Sequence, residues 1–86
     1  APVLFDGGCR CGADVVTALA LGASAVGLGR APLWGLALAG AAGAARVLEI
    51  VRAEVRETLT MTGSASVAEL GPRTLIDAAE YEVRAY

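Results

Sequence analysis

The apolar positions change period along the chain, and each change marks an element. Val3-Leu4-Phe5 is a continuous apolar run closed by Asp6-Gly7-Gly8, the pattern of a strand buried on both faces of a parallel sheet. Val15, Val16, Leu19 and Ala20 then recur at helical spacing. With Gly12-Ala13-Asp14 as a start and Gly22 as a C-cap, they predict a helix over about residues 13 to 21. Ala25-Val26-Gly27-Leu28 reads as a second strand, closed by Gly29-Arg30. Pro32 suits the first turn of a following helix in which Leu33, Trp34, Leu36 and Ala37 are apolar and which stops near Gly40, with Trp34 as a packing anchor.

The strongest helical period runs from Ala44 to about Met61. Val47, Leu48, Val51, Val55 and Leu59 share one side, while Arg46, Glu49, Arg52, Glu54, Arg56 and Glu57 fall largely elsewhere. Those charges read as a solvated face on which Glu49 and Arg52 pair one turn apart. Gly63 ends this helix, Ser66 to Glu69 forms a capped turn, and Gly71-Pro72 breaks the chain again. Arg73 to Tyr86 has only weak periodicity, as in a short helix packed back on the body or a tail.

The order strand, helix, strand, helix, helix is that of an α/β fold with a parallel strand pair. A helix between two parallel strands returns the chain to the same sheet edge. The turn holding Asp6, Gly7, Gly8 and Arg10 therefore faces the turn holding Gly29 and Arg30. Glycine lets backbone N–H groups approach an anion closely, and arginine adds a planar charged fork. Both turns have both parts, which predicts a phosphate site. Asp6 is expected to cap its own turn through the Gly7-Gly8 backbone and to accept bonds from sugar-like hydroxyls.

Composition narrows the reading. Eighty-six residues make one small unit, and a hydrophobic fraction of 56% is high for it, so part of that surface is expected to meet protein outside this stretch. The abrupt start at Ala1-Pro2 reads as an interior one. A net charge of −2, with all seven basic residues being arginine scattered along the chain, excludes a general nucleic-acid binder. The nearly uncharged run from Ala31 to Ala45 falls short of the roughly 20 residues a membrane span needs. The absence of histidine excludes a Ser-His triad or a histidine base within these residues. Cys9 and Cys11 form neither a disulfide framework nor a complete metal site; reduced thiols in a cytoplasmic setting are expected, with Cys9 packed inward. Gly27-Leu28-Gly29-Arg30-Ala31-Pro32 imitates a dinucleotide fingerprint, but Pro32 stands where the third glycine belongs.

Leu4 to Val15, Ala18 to Ala23, Ala25 to Arg30, Leu33-Trp34-Gly35-Leu36, Leu59 to Gly63 and Ser66 to Leu70 together resemble the FMN-dependent α-hydroxy acid oxidase and dehydrogenase family, that of glycolate oxidase, lactate oxidase and mandelate dehydrogenase. The resemblance covers roughly residues 2 to 70. It implies the last two strand-helix units and C-terminal segment of a (β/α)8 TIM barrel, with residues 1–70 in the barrel domain and 71–86 as a C-terminal tail. By the same resemblance Asp6, Gly7, Gly8, Arg10, Gly29 and Arg30 would hold FMN, and a small 2-hydroxy acid would be the substrate. The partners it implies are the remaining N-terminal portion of the barrel and further copies in a homo-oligomer, with no nucleic acid and no membrane span. The family's catalytic histidine and substrate clamps have no counterpart in this stretch, so no catalytic residue and no metal ligand is assigned. An IMP dehydrogenase-like phosphate-binding barrel and a helical interaction module are the competing readings.

Overall fold

A computed structural model describes residues 1–76. The elements run β1 (Leu4–Asp6), α1 (Gly12–Ala20), β2 (Ala25–Gly27) and α2 (Arg30–Met61), followed by single 3-10 turns at Val67–Glu69 and Pro72–Thr74. The strands pair in parallel, Leu4 opposite Ala25, Phe5 opposite Val26 and Asp6 opposite Gly27. The segment expected as a tail or packed-back helix is described only as far as residue 76; its remainder lies outside the described residues.

Helix α1 ends where the glycine signal places it. The Gly22 amide donates to the Leu19 carbonyl and the Ala23 amide to the Ala18 carbonyl, both at 3.1 Å, the paired bonds of a Schellman cap. Helix α2 ends the same way, with Gly63 donating to Thr60 and Ser64 to Leu59. In the turn after it, the Glu69 carboxylate accepts from the amide of Ser66 at 3.1 Å and from that of Ala65.

The stop near Gly40 is real, but the chain resumes its helix at once. Ala39 (φ −147°, ψ 24°) and Gly40 (φ 62°, ψ −148°) leave helical geometry inside α2 and divide it into arms at 30–38 and 41–61. Gly40 takes a backbone conformation that costs an L side chain about 1 kcal/mol or more. The arms then fold against each other where Gly35 and Gly43 meet backbone to backbone. A Cβ on Gly35 would lie 2.6 Å from the Gly43 carbonyl carbon and 2.8 Å from Val47 Cγ2. The second arm therefore begins at 41 rather than 44.

By length and hydropathy alone α2 would reach across a bilayer, with 32 residues and a mean hydropathy of 1.4 in its most apolar window. As folded, the helix is broken at Ala39 and Gly40. The first arm rises only about 14 Å at 1.5 Å per residue, and the second carries Arg46, Glu49, Arg52, Glu54, Arg56 and Glu57. Neither arm is both long and apolar enough to span a bilayer.

The core lies between α1 and α2, where Val16, Ala18, Ala20, Ala31, Val51 and Cys9 are buried. Gly12 lets α1 approach closely: a Cβ there would overlap Glu54 and the backbone nitrogen of Val55. Within this chain Leu4 is 76% and Phe5 44% accessible, because its two strands by themselves cover neither face nor either outer edge, and Trp34 is half exposed. One expected pairing fails. The pair formed on the charged face is Arg46–Glu49 at 3.3 Å, not Glu49–Arg52; both partners are largely exposed, so it contributes little.

Candidate functional site

The strand register sets the site. Because Asp6 stands opposite Gly27, the two chains leave the sheet at the same edge, and the turns that follow face each other. Between them is a cleft of about 310 Å³ lined by Asp6, Gly7, Gly8, Cys9, Arg10, Gly27, Gly29 and Arg30. Every residue singled out from the sequence for phosphate contact borders this one cleft.

The first turn is shaped by Gly7 (φ +108°) and Gly8 (φ +80°), consecutive left-handed conformations with nothing within 4 Å of the position a Cβ would take. The loop's open face is thus backbone, free for close approach by an anion. Its far side is pinned. The amide of Arg10 donates to Asp14 Oδ2 at 3.0 Å, and the amide of Gly12 donates to Glu54 Oε1 at 3.1 Å. Asp6 does not bond the Gly7-Gly8 backbone as expected. Its carboxylate instead lies over Gly27, with Oδ1 3.3 Å from the position of a Cβ there, at the border of the cleft.

The second turn delivers Gly29 as the N-cap of α2 and Arg30 as its first residue. No side chain caps this helix start, and its first turn holds no acidic residue, so the orphan amides and the positive end of the helix dipole stand open beside an arginine. Arg10 and Arg30 are both exposed, and neither takes part in an ion pair among the described residues. Two unneutralised guanidinium groups, a glycine cradle and a bare helix N-terminus converge on one opening. That donor set fits a phosphate group, and the carboxylate of Asp6 fits neighbouring hydroxyls.

Cys9 is buried, as expected, and its thiol is pushed above its ordinary value by burial first and then by Asp14, Cys11 and Asp6. It stays protonated near neutral pH and is a poor nucleophile. Asp14 is held below the usual carboxylate range, first by the hydrogen bond from the Arg10 amide and then by the Cys11 thiol. A carboxyl depressed in the folded state stabilises it above the unfolded value of about 3.9 and loses that contribution as pH falls toward the lower, folded value. Asp14→Asn is accordingly expected to flatten the acid limb of the thermal-unfolding midpoint plotted against pH, with the difference from the parent largest at neutral pH and shrinking below pH of about 4.

Beyond the set picked from the sequence, Cys9 and Gly27 also border the cleft; the signal for Gly27 was present, since it ends β2 two residues before Gly29. Glu54 supports the first turn from 42 residues away, and helical period alone assigns it to the solvated face.

Comparison with known proteins shows the family of the chain. The model of a family described as FMN-dependent dehydrogenase matches residues 1–77. Pre-mycofactocin synthase of Mycobacterium tuberculosis (strain ATCC 25618 / H37Rv) is 53% identical over 74 residues, covering 86% of this chain and 19% of its own. 2-Hydroxyacid oxidase 2 of Rattus norvegicus is 51% identical over 70 residues, covering 81% of this chain and 20% of its own. A crystal structure of the monotopic membrane protein (S)-mandelate dehydrogenase superposes with a TM-score of 0.86 at 48% identity, over 87% of this chain and 20% of that one. The chain thus spans about one fifth of the length of the curated relatives it matches. Matched to such proteins, β1-α1 and β2-α2 are two strand-helix units of a TIM barrel.

Proposed function

Because this chain belongs to the FMN-dependent dehydrogenase family, we propose that its paired turns hold the ribityl chain and phosphate of FMN in an enzyme that oxidises a small 2-hydroxy acid to the 2-oxo acid. The observation that carries this reading is the Asp6–Gly27 register, which gathers Arg10, Arg30 and the glycine backbone around one cleft. Arg10 and Arg30 bind the phosphate through charge-assisted hydrogen bonds. Gly7 and Gly8 let the loop backbone close on it, and Gly29 brings the amides of the α2 start into reach. Asp6 accepts from ribityl hydroxyls. Bound FMN supplies the acceptor for the two electrons that leave the hydroxy acid. The chain holds no histidine; the histidine base that the family resemblance implies would come from another part of the complete protein.

The family match favours this reading over the IMP dehydrogenase-like barrel and the free-standing helical module. The reading also takes the chain to work within a complete barrel and in a homo-oligomer. Exposed Leu33, Trp34, Leu36 and Leu38 support that by offering apolar surface to neighbours. The free thiols of Cys9 and Cys11 support a reducing, cytoplasmic setting.

The test is a titration of the flavin-loaded full-length protein, without oxygen, against a panel of 2-hydroxy acids. Loss of flavin absorbance on adding one or more of them is expected. A full-length protein that takes up no flavin, or whose flavin no 2-hydroxy acid bleaches, would overturn the reading.

A further inference from the structure

The turn that would grip the phosphate does not hold its own shape. Its glycines make it pliable, and its fixed points lie on one flank: Asp14 accepts from the Arg10 amide at 3.0 Å, and Glu54 accepts from the Gly12 amide at 3.1 Å. The Asp14 bond is local, made within the start of α1. The Glu54 bond is the one that ties the turn to α2, and it is half-buried. It falls where α1 and α2 come closest, since Gly12 has no room for a Cβ against Glu54 and Val55.

We propose that Glu54 is a positioning residue for phosphate recognition: by holding the Gly12 amide it sets the distance between the Asp6–Arg10 turn and the α2 start that carries Arg30. The proposal rests on the FMN reading above.

The physical argument is one of connection. Arg30 begins α2 and Glu54 lies on the second arm of the same helix, while Arg10 and Gly12 flank the α1 start. The two arms of α2 are locked together at Gly35 and Gly43. A bond from the second arm to the Gly12 amide therefore fixes both halves of the anion cleft in one frame. The carboxylate is also placed at the positive end of α1, where an anion is favoured. Arg10 borders both the anion cleft and a second hollow, about 240 Å³ in volume, which Glu54 lines together with Trp34 and Val51.

The experiment compares FMN with riboflavin, which lacks the phosphate, on flavin-stripped full-length protein. Affinities are read from flavin fluorescence. Glu54→Leu keeps the bulk but cannot accept the bond, and it is expected to weaken FMN about tenfold, the effect of one lost charge-assisted bond, while changing riboflavin little. Glu54→Gln, which still offers an acceptor oxygen, is expected to restore most of the FMN preference. Glu54→Asp, too short to reach, repeats the selective loss and serves if the leucine variant does not fold. Equal weakening of both flavins in Glu54→Leu and Glu54→Asp, or a parental preference in both, would overturn the proposal. A parental protein with no preference for FMN over riboflavin would instead overturn the phosphate site itself.

Discussion

Replacing Arg30 with alanine is expected to weaken FMN binding by the full-length protein about 100-fold, while leaving the flavin-free protein as stable as before or slightly more so. The loss follows from two charge-assisted bonds at about 1.5 kcal/mol each, the lower end of their range because Arg30 is exposed. The gain follows from position. Arg30 is the first residue of α2, whose first turn contains no acidic side chain and whose N-cap makes no side-chain bond. A cation there opposes the helix dipole by roughly 0.3–1 kcal/mol. Folding alone gives no reason to put an arginine at that place; an incoming anion does. Arg30→Lys keeps the charge but not the planar fork, and should fall between, near tenfold. Flavin titration measures the first effect and thermal unfolding of the stripped protein the second. Unchanged affinity, or a loss of stability parallel to the loss of flavin, would remove Arg30 from the phosphate site.

The relatives bear on what this stretch encodes. Proteins named as a pre-mycofactocin synthase, a 2-hydroxyacid oxidase and a mandelate dehydrogenase match it at 53%, 51% and 49% identity. Identity that does not change with the named substrate fits a segment whose task is common to all of them. Holding a cofactor is such a task, and a cleft of glycine backbone and arginine has no feature by which one hydroxy acid would be told from another.

What could be read from the sequence was local chemistry. The strands, the Gly22 and Gly63 stops and the Gly40 interruption each announce themselves within a few residues, because glycine at a helix end or turn takes a conformation few other residues adopt, and the two glycine–arginine turns that border the cleft stand out by residue type alone. What could not be read was set by contacts far apart in the chain. Glu54 sits among charged neighbours in a helical period, and nothing in that period says that a backbone amide 42 residues earlier needs an acceptor. Phe5 and Trp34 look like core residues by type, and yet are 44% and 50% exposed. Arg46, not Arg52, pairs with Glu49, as either spacing allows and side-chain rotamers decide.

Gly43→Ala is expected to be strongly destabilising for so small a change, and the comparison with two other glycines shows why. At Gly43 a Cβ would overlap the Gly35 carbonyl oxygen and lie 2.7 Å from its carbon, with Ala39 Cβ at 3.1 Å. The obstacle is backbone on the facing arm, which cannot rotate away as a side chain could. Overpacking of this kind costs about 1–3 kcal/mol and here belongs at the top of that range or beyond. Alanine's better helix propensity returns up to about 1 kcal/mol, so the net loss is about 2 kcal/mol or more. Gly40→Ala meets no atom within 4 Å, and its cost is only that of its backbone conformation, φ 62° and ψ −148°, about 1–3 kcal/mol. Gly29→Ala meets nothing and has an ordinary φ of −108°, so its effect on folding should stay within about 0.5 kcal/mol. Thermal unfolding of the flavin-free full-length protein is expected to rank the three Gly43, Gly40, Gly29 from largest loss to least. If Gly43→Ala melts with the parent, the arms of α2 do not meet at Gly35, and the frame that joins Arg30 to Glu54 is not rigid.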